Sequence, residues 1–386
     1  MNDKIYEQIP YYGHSSSYCP YYRQSLFYCP YCFPGSTAAQ PYVCPYLNQT
    51  RYPEGPFVPK PKIPFPPDVV LSPELRAKKT IETKWETLNR EPGTAISDVE
   101  RVGIGYRIRY QNGSIYTKKP AGPAWWIYGA IGVSYEKLGG VRSWLGFPTS
   151  DELPLRYDDG RVSSFEQGEI YWWPDTGAIE IDKVVLAYSG INCFGETDQD
   201  DFLGVGSDEV YATISVVAPT GNAGEPVEFG TSLTRLYTDV DGGESVPDHI
   251  ELYRGKPYGL NITFVLIEHD QEDPVAYYKA IEAAVSSSAS TLASGLGAVS
   301  GTAAAALAGP ILQGLVPIVS KQINTIVGAG PDVIGTTTMT LTAKQVVLLA
   351  ARTGESTEKQ INFNLTTQLL TGEGSSYKGY FRFYRA

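Results

Sequence analysis

Four of the five cysteines lie between residues 19 and 44, and two of them form the tetrapeptide CPYC at residues 29–32. This C-x-x-C spacing is typical of thiol–disulfide enzymes, in which a helix N-terminus lowers the pKa of the first thiol. Here the triplet Cys-Pro-Tyr recurs at 19–21, 29–31 and 44–46, and no strand–helix pattern surrounds it. The recurrence argues against a redox enzyme.

Two other interpretations of these cysteines remain open. Cys19, Cys29, Cys32 and Cys44 could hold a zinc ion, although one C-x-x-C pair is present where zinc sites usually have two. We favour a Tyr/Cys/Pro-rich low-complexity arm, residues 1–50, whose cysteines crosslink chains through disulfides. The segment that follows, 51–79, contains eight prolines, which predicts a stiff, polyproline-like linker.

Acidic residues form three clusters in the C-terminal half of the chain. If the loops at one end of a β-sandwich converge, their carboxylates could supply the roughly six to eight oxygens that Ca²⁺ prefers. The pattern faintly resembles the calcium loops of C2-type sandwiches; the alternative is that these acidic loops are simply solvated. The candidate ligands are Asp198, Asp200, Asp201, Asp239, Asp241, Glu244, Asp270 and Asp273.

Charge and missing motifs exclude several classes of function. The net charge of −11 argues against a nucleic-acid partner, because phosphate binding needs a basic surface. The sequence has no GxSxG, HExxH, Walker A or dinucleotide-binding motif, and its three histidines are scattered. We therefore expect a non-enzymatic protein that requires no cofactor, with Ca²⁺ as a possible ligand.

The residues from Gly129 to Ile181 contain the ordered motifs GAIG, LGG, LGFPTSDE, GEIYWW and TGA. This pattern resembles the LGFP repeat of cell-wall-associated proteins. An eroded copy precedes it at about 80–128, in which Trp85 corresponds to Tyr135 and Gly113 to Gly168, but the LGFP tetrapeptide is missing. Because one such unit is too small to bury its aromatic side chains, we expect the two copies to pack together.

The resemblance implies attachment to a glycan or glycolipid of the cell envelope. Aromatic rings stack on sugar rings, so the aromatic residues of the repeats are candidate contacts. The alternative is that most of the tryptophans fill the small cores of the repeats, with one or two exposed. The candidates are Trp125, Trp126, Trp144, Phe147, Tyr171, Trp172 and Trp173.

Residues 183–386 contain about eight apolar, β-branched runs, which predicts an antiparallel β-sandwich after the repeats and a mainly β protein overall. The expected strands are 184–188, 209–217, 232–237, 250–253, 260–267, 336–351, 361–370 and 377–384. Between them, at about 274–328, two apolar stripes at helical spacing predict an inserted α-helical hairpin that turns at Gly309-Pro310.

The hairpin has two possible environments. One alternative is a hairpin that packs on a sheet or on itself. The other is a pair of helices that enters a membrane, since no charged residue occurs from 283 to 320. The serines of its first helix count against spontaneous insertion. The residues that would carry either role are Leu292, Leu296, Val299, Leu307, Leu315 and Val319.

These observations predict a modular surface-binding protein. The repeats would dock on envelope glycan, the sandwich would contact a protein partner or a membrane, and the arm would mediate self-association. No Sec-type signal peptide is visible, so we expect a cell surface, spore coat or parasporal inclusion reached by another route. The main alternative is a pore-forming or insecticidal-type toxin; a wall-lytic enzyme would need a catalytic domain that the sequence does not display.

Overall fold

The structure, a computed structural model, describes residues 71–196, 208–269, 273–327, 333–352, 356–358, 361–372 and 374–386. The arm and residues 51–70 of the linker, with the four clustered cysteines, lie outside these residues. The prediction of a linker as far as residue 79 was wrong, because a helix begins at Pro73. Residues 69–386 cluster as one compact unit, which is the unit described below.

Two successive helix-plus-sheet modules begin the described chain. Helix α1 (Pro73–Thr87) starts after Ser72, whose side chain accepts a hydrogen bond from the Leu75 amide, and it has proline at its first position. A four-stranded antiparallel meander follows it. Helix α2 (Gly129–Leu138) and a second four-stranded meander repeat the arrangement. The strands are β1 (Glu100–Val102), β2 (Gly105–Tyr110), β3 (Gly113–Thr117), β4 (Ala124–Ile127), β5 (Leu153–Pro154), β6 (Arg161–Phe165), β7 (Gly168–Trp173) and β8 (Gly177–Ile181).

The period-2 alternation of each sheet gives its two faces to different partners. In β3, Ile115 packs with α1, whereas Tyr116 packs with α2 and the second sheet. In β7, Ile170 packs with α2, whereas Tyr171 joins the core of the C-terminal half. The modules are therefore stacked in the order helix, sheet, helix, sheet, sandwich.

A sandwich of two five-stranded antiparallel sheets forms most of the C-terminal half, as predicted. One sheet has the order β11-β10-β14-β15 with β12 beside β10, and the other has β13-β9-β20-β18 with β19 beside β20. Their strands are β9 (Val184–Gly195), β10 (Asp208–Asn222), β11 (Glu225–Leu233), β12 (Tyr237–Val240), β13 (Ser245–Gly255), β14 (Leu260–Glu268), β15 (Val333–Leu341), β18 (Leu365–Thr366), β19 (Leu370–Gly372) and β20 (Ser375–Arg385), and β16 (Ser356–Glu358) and β17 (Ile361–Phe363) form a separate pair.

Three of the expected strands were wrong. The run 232–237 spans the break between β11, which ends at Leu233, and β12, which begins at Tyr237, and the run 361–370 is divided among β17, β18 and the first residue of β19. The run 336–351 is not a single strand, because β15 ends at Leu341 and helix α5 (Ala343–Ala351) follows at once. A capping box explains the switch: the Thr342 side chain accepts from the Gln345 amide, and the Gln345 side chain accepts from the Thr342 amide at 2.9 Å.

The inserted helical hairpin consists of α3 (Pro274–Leu296) and α4 (Thr302–Val327). It covers the outer face of the first sheet, where Tyr211, Val217, Val265 and Ile267 share a core with both helices. That sheet is consequently buried on both faces.

The predicted turn at Gly309-Pro310 was wrong: α4 runs through Pro310, and the reversal lies between residues 297 and 301. Proline cannot donate to the carbonyl four residues earlier, so the helix leaves the Ala306 carbonyl without its usual partner. The backbone amide of Arg156, in the second module, donates to that carbonyl at 3.2 Å. A tertiary contact thus replaces the missing helical bond.

Candidate functional site

The LGFP tetrapeptide, residues 145–148, joins the two modules. Leu145 is fully buried beside Tyr135 of α2, and Gly146 has a positive φ of 73° and accepts from the Tyr135 hydroxyl at 2.6 Å. The Phe147 ring lies against Gly105 of the first sheet, where an added Cβ would sit only 2.6 Å from the ring. The tetrapeptide therefore acts as a packing element between modules.

The first module keeps the same hydrogen bonds with different side chains. Trp85 Nε1 donates to the Gly93 carbonyl at 2.7 Å, as the Tyr135 hydroxyl does to Gly146. The Gln111 side chain accepts from the Thr94 amide at 3.2 Å, and Glu166 accepts from the Phe147 amide at 3.0 Å in the second module.

The same correspondence extends to a second pair of bonds. Ser97 Oγ accepts from the Arg109 amide at 3.1 Å, and Ser150 Oγ accepts from the Ser164 amide at 2.9 Å. Thr94 occupies the place of Phe147, and no module precedes it within the described residues for a ring to contact. The first copy therefore lacks the LGFP sequence at the one place where no preceding described module would contact it.

An open groove of about 850 Å³ lies on the first module, where the β2–β3 turn faces the start of α2. Its wall contains a stacked aromatic pair, Trp126 and Tyr128, with ring centroids 3.9 Å apart. Val133 of α2 is 71% exposed at its edge. The polar groups that line it are Glu91, Gln111, Asn112, Ser114 and Glu136.

Hydrogen bonds fix the base of the groove. The Trp126 indole donates to the Asn112 carbonyl at 2.8 Å, and the Trp126 amide donates to Asp151 of the second module at 2.8 Å. The Tyr116 hydroxyl donates to Glu136, which is also paired with Arg107 at 2.9 Å. Burial raises the pKa of Tyr128 to about 12, with the Glu152 carboxylate adding to the effect, so its hydroxyl stays protonated. The groove is preformed and polar at its rim.

The matching place on the second module is filled by the sandwich. By strand register Glu169 corresponds to Ser114, and Asp182 to Tyr128. Lys256, after β13, contacts Glu169 at 3.0 Å and Asp182 at 2.9 Å, and the Tyr258 hydroxyl donates to Glu169 at 3.1 Å.

Electrostatics in this filled position follow from burial. Burial raises the pKa of Glu169 despite its contacts with Lys256 and Tyr258. Burial lowers the pKa of Lys256, but Glu169 and Asp182 outweigh it and leave that pKa raised. A buried carboxylate that is matched by one ammonium group and one phenol holds the junction closed to ligands.

The predicted aromatic contacts divide into buried and accessible groups. Trp126, Phe147, Tyr171 and Trp173 are buried, the last two in the core shared with the sandwich, so these four have no open ring face for a sugar. Trp125 and Trp172 are half-buried, and the Lys84 ammonium lies 5.4 Å from the Trp125 ring. Trp144 is 45% exposed and lies over Gly168.

The acidic loops give no assembled metal site among the described residues. No group of three or more His, Cys, Asp or Glu side chains there is placed to hold an ion. Glu244 accepts from the Asp241 amide at 3.2 Å, and Asp273 caps α3 by accepting from the Val275 amide. Asp239 lies in β12, with a positive φ of 64°. Asp198, Asp200, Asp201 and Asp270 fall outside the described residues, so calcium binding stays a prediction.

Cys193 is the one cysteine among the residues that the structure describes. Its thiol is buried in the sandwich, and burial raises its pKa, which makes it unreactive. The crosslinking prediction for Cys19, Cys29, Cys32 and Cys44 remains open.

The predicted hairpin residues lie between the helices and the sheet. Leu292, Leu296, Leu315 and Val319 are buried, and Val299 and Leu307 pack partly against the same cluster. By length and composition, the α4 residues Thr302–Ile326 could also cross a membrane, with a mean hydropathy of 1.6.

Sequence reasoning missed Tyr128, Val133, Glu91 and Gln111 of the groove. None of these residues belongs to a motif. In addition, the position of the sandwich decides which of the two modules keeps an open groove, and the sequence does not show that position. The available signal was the duplication itself, since Glu169 and Ser114 differ at equivalent positions.

A family model described as the LGFP repeat matches residues 93–143 and 145–188. No curated protein matches this chain. The matched units begin at the tetrapeptide position and include the following helix or strand, whereas the expected copies began at the helix. LGFP repeats are typical of cell-surface-associated proteins. Residues 93–188 are therefore two adjacent LGFP repeats.

Proposed function

We propose that this chain is a non-enzymatic surface-binding protein whose first repeat binds a glycan of the cell envelope in the groove beside Trp126 and Tyr128. One observation carries the proposal: two copies of one module differ in that the first leaves this position open and the second closes it with Lys256 and Tyr258. The difference gives the first repeat a preformed binding surface.

The chemistry of the groove suits a sugar. The half-buried ring of Tyr128, which stacks on the buried Trp126, offers apolar contact to the ring carbons, and the amide and carboxyl groups of Gln111, Asn112 and Glu91 offer hydrogen bonds to hydroxyl groups. Trp144, exposed on the second repeat, is a second stacking surface. The sandwich and the arm would bring further contacts, to partner proteins and between chains.

The test uses retention on purified cell-wall glycan. Val133→Arg places a long cation in the groove without disturbing a core, because Val133 is largely exposed. Ile104→Arg is the matched control: Ile104 is 69% exposed on the same repeat but does not line the groove.

We expect Val133→Arg to weaken retention by about tenfold, roughly the effect of losing one good contact, and Ile104→Arg to leave it unchanged. Equal retention of both variants would refute the groove, and a wild-type chain that passes through unretained would refute glycan binding altogether. Trp144→Ala in parallel measures the contribution of the second repeat.

The apolar length of α4 supports a second candidate, a pore-forming protein. The hydroxyls of Ser164 and Thr302 are 3.0 Å apart across the contact between the second repeat and α4. Cysteines at both positions would pin the helix when oxidised. Dye release from liposomes that the reduced variant shows and the oxidised variant lacks would favour this candidate; no release by the wild-type chain would remove it.

A further inference from the structure

The two helix-plus-sheet modules have net charges of opposite sign. Residues 73–128, which comprise α1 and the first repeat sheet, contain ten Lys and Arg against six Asp and Glu, a net charge of +4. Residues 129–182 contain four against ten, a net charge of −6. In a chain of net charge −11 the first module is therefore a locally basic region.

Much of the uncompensated positive charge lies on the outer face of α1. Its positions 76, 79, 80, 83, 84 and 87 fall on one side of the helix at spacings of three and four, and they are Arg, Lys, Thr, Thr, Lys and Thr. Together with Ala121 and Gly122 from the β3–β4 loop and Ala124 at the start of β4, they line a trough of about 460 Å³.

Two of these cations are unpaired. Lys84 is paired with Asp151, but Arg76 and Lys79 are exposed and make no ion pair with any described residue. Thr83 is also exposed, and Thr80 donates to the Pro120 carbonyl at 2.8 Å, which fixes the loop against the helix. Glu82 and Glu86 border the trough on one side only. The row of cations and hydroxyls extends about 16 Å along the helix, at 1.5 Å per residue.

We propose that this trough binds a phosphodiester-bearing polymer of the cell envelope, as a contact separate from the aromatic groove. An extended polyanion fits a narrow, open trough whose floor is made of small residues and whose rim carries cations and hydroxyl donors. The trough and the groove share no lining residue, so this site does not require that the groove binds glycan.

Two other occupants are disfavoured, the first by its charge and the second by the packing of the repeats. Residues 1–70, the segment that precedes α1, contain five basic and four acidic residues, so they offer no complementary charge. A second copy stacked as the repeats are stacked would need the free face of a repeat sheet, but the second repeat sheet is covered by the sandwich. A polymer of the surface is the occupant that the charges favour.

The test compares full-length variants on three probes: long-chain inorganic polyphosphate, untreated cell-wall glycan, and the same glycan stripped of phosphodiesters with hydrofluoric acid. Arg76→Glu with Lys79→Glu reverses both free cations. Arg101→Glu with Lys137→Glu is the control, because both residues are exposed on the repeats, lie outside the trough and change net charge equally.

We expect the trough variant to bind polyphosphate at least tenfold more weakly than the control, with a shallower dependence of affinity on salt, because fewer counterions are released. Its binding to the stripped glycan should be unchanged, whereas Val133→Arg should show the opposite pattern. The two proposals can therefore fail independently.

Three results would overturn the proposal. Equal losses in the trough variant and the control would show only a general charge effect. Binding to phosphatidylglycerol vesicles that is stronger than binding to the polymers and depends on Arg76 would assign the trough to a membrane surface. Self-association at low salt that Arg76→Glu abolishes would assign it to a second copy.

Discussion

The two repeats share one backbone arrangement, but the second is buried against the sandwich and the first leaves a groove open. In the second repeat, Trp173 and Tyr171 are buried under the sandwich, and Glu169 is bound by Lys256. In the first repeat, the equivalent of Trp173 is Lys118, an exposed residue, and the surface beside Ser114 is open as the groove. The comparison teaches that a repeat becomes structural or available for binding according to what covers the far side of its sheet.

The largest expected effect lies at the buried junction. Trp173→Ala should lower the free energy of unfolding by about 4 kcal/mol, because it removes a fully buried ring from the core shared with the sandwich. Lys118→Ala, at the equivalent position, should change it by less than about 0.5 kcal/mol. Urea denaturation measures the free energy of unfolding of both variants. Comparable losses would contradict the conclusion that only the second repeat is part of the buried junction.

A second substitution addresses the LGFP tetrapeptide. Phe147→Ala should cost about 3 kcal/mol, because the ring fills the space beside Gly105 between the repeats. Thr94→Ala, the counterpart, should cost less than about 0.5 kcal/mol, since Thr94 is exposed and its structural hydrogen bond uses the backbone amide. If Thr94→Ala proved as damaging, the first repeat would have a docking partner on that side.

The smallest effect concerns Glu166 and Gln111, which accept equivalent backbone bonds. Burial raises the pKa of Glu166, but hydrogen bonds from Lys118 and from the Phe147 amide outweigh it and leave that pKa lowered. A lowered pKa stabilises the folded chain above about pH 4.5, and this contribution is lost as the pH falls through the folded value. Glu166→Gln should cost about 0.5 kcal/mol at pH 7, a small value because the group is partly exposed.

The measurement is the difference in unfolding free energy between wild type and Glu166→Gln from pH 3 to 7. The difference should shrink toward zero at the acid end. A difference that stays constant with pH would mean that the Lys118 contact has no electrostatic weight.

Sequence reasoning predicted the repeats and the sandwich because both rest on local patterns. The correspondences of Trp85 with Tyr135 and of Gly113 with Gly168 follow from spacing, and the buried stripe of α3 follows from period. The exposure of individual tryptophans could not be predicted. Trp172 and Trp173 are adjacent in one strand and point to opposite faces of the sheet, and the sequence does not show what covers each face. The turn in the hairpin was misplaced because a bond from Arg156, more than a hundred residues away, sustains the helix at Pro310.

The hydrogen bond between Arg156 and Ala306 limits which parts of this chain can be exchanged by recombination. The C-terminal half depends on the second repeat: a chain that began at β9 would lose the amide that completes α4 and the repeat sheet that covers part of its core. A recombination that grafts another binding unit onto it must supply both features at once. The last repeat and the sandwich are therefore expected to be inherited together, while the outer repeat is free to be exchanged.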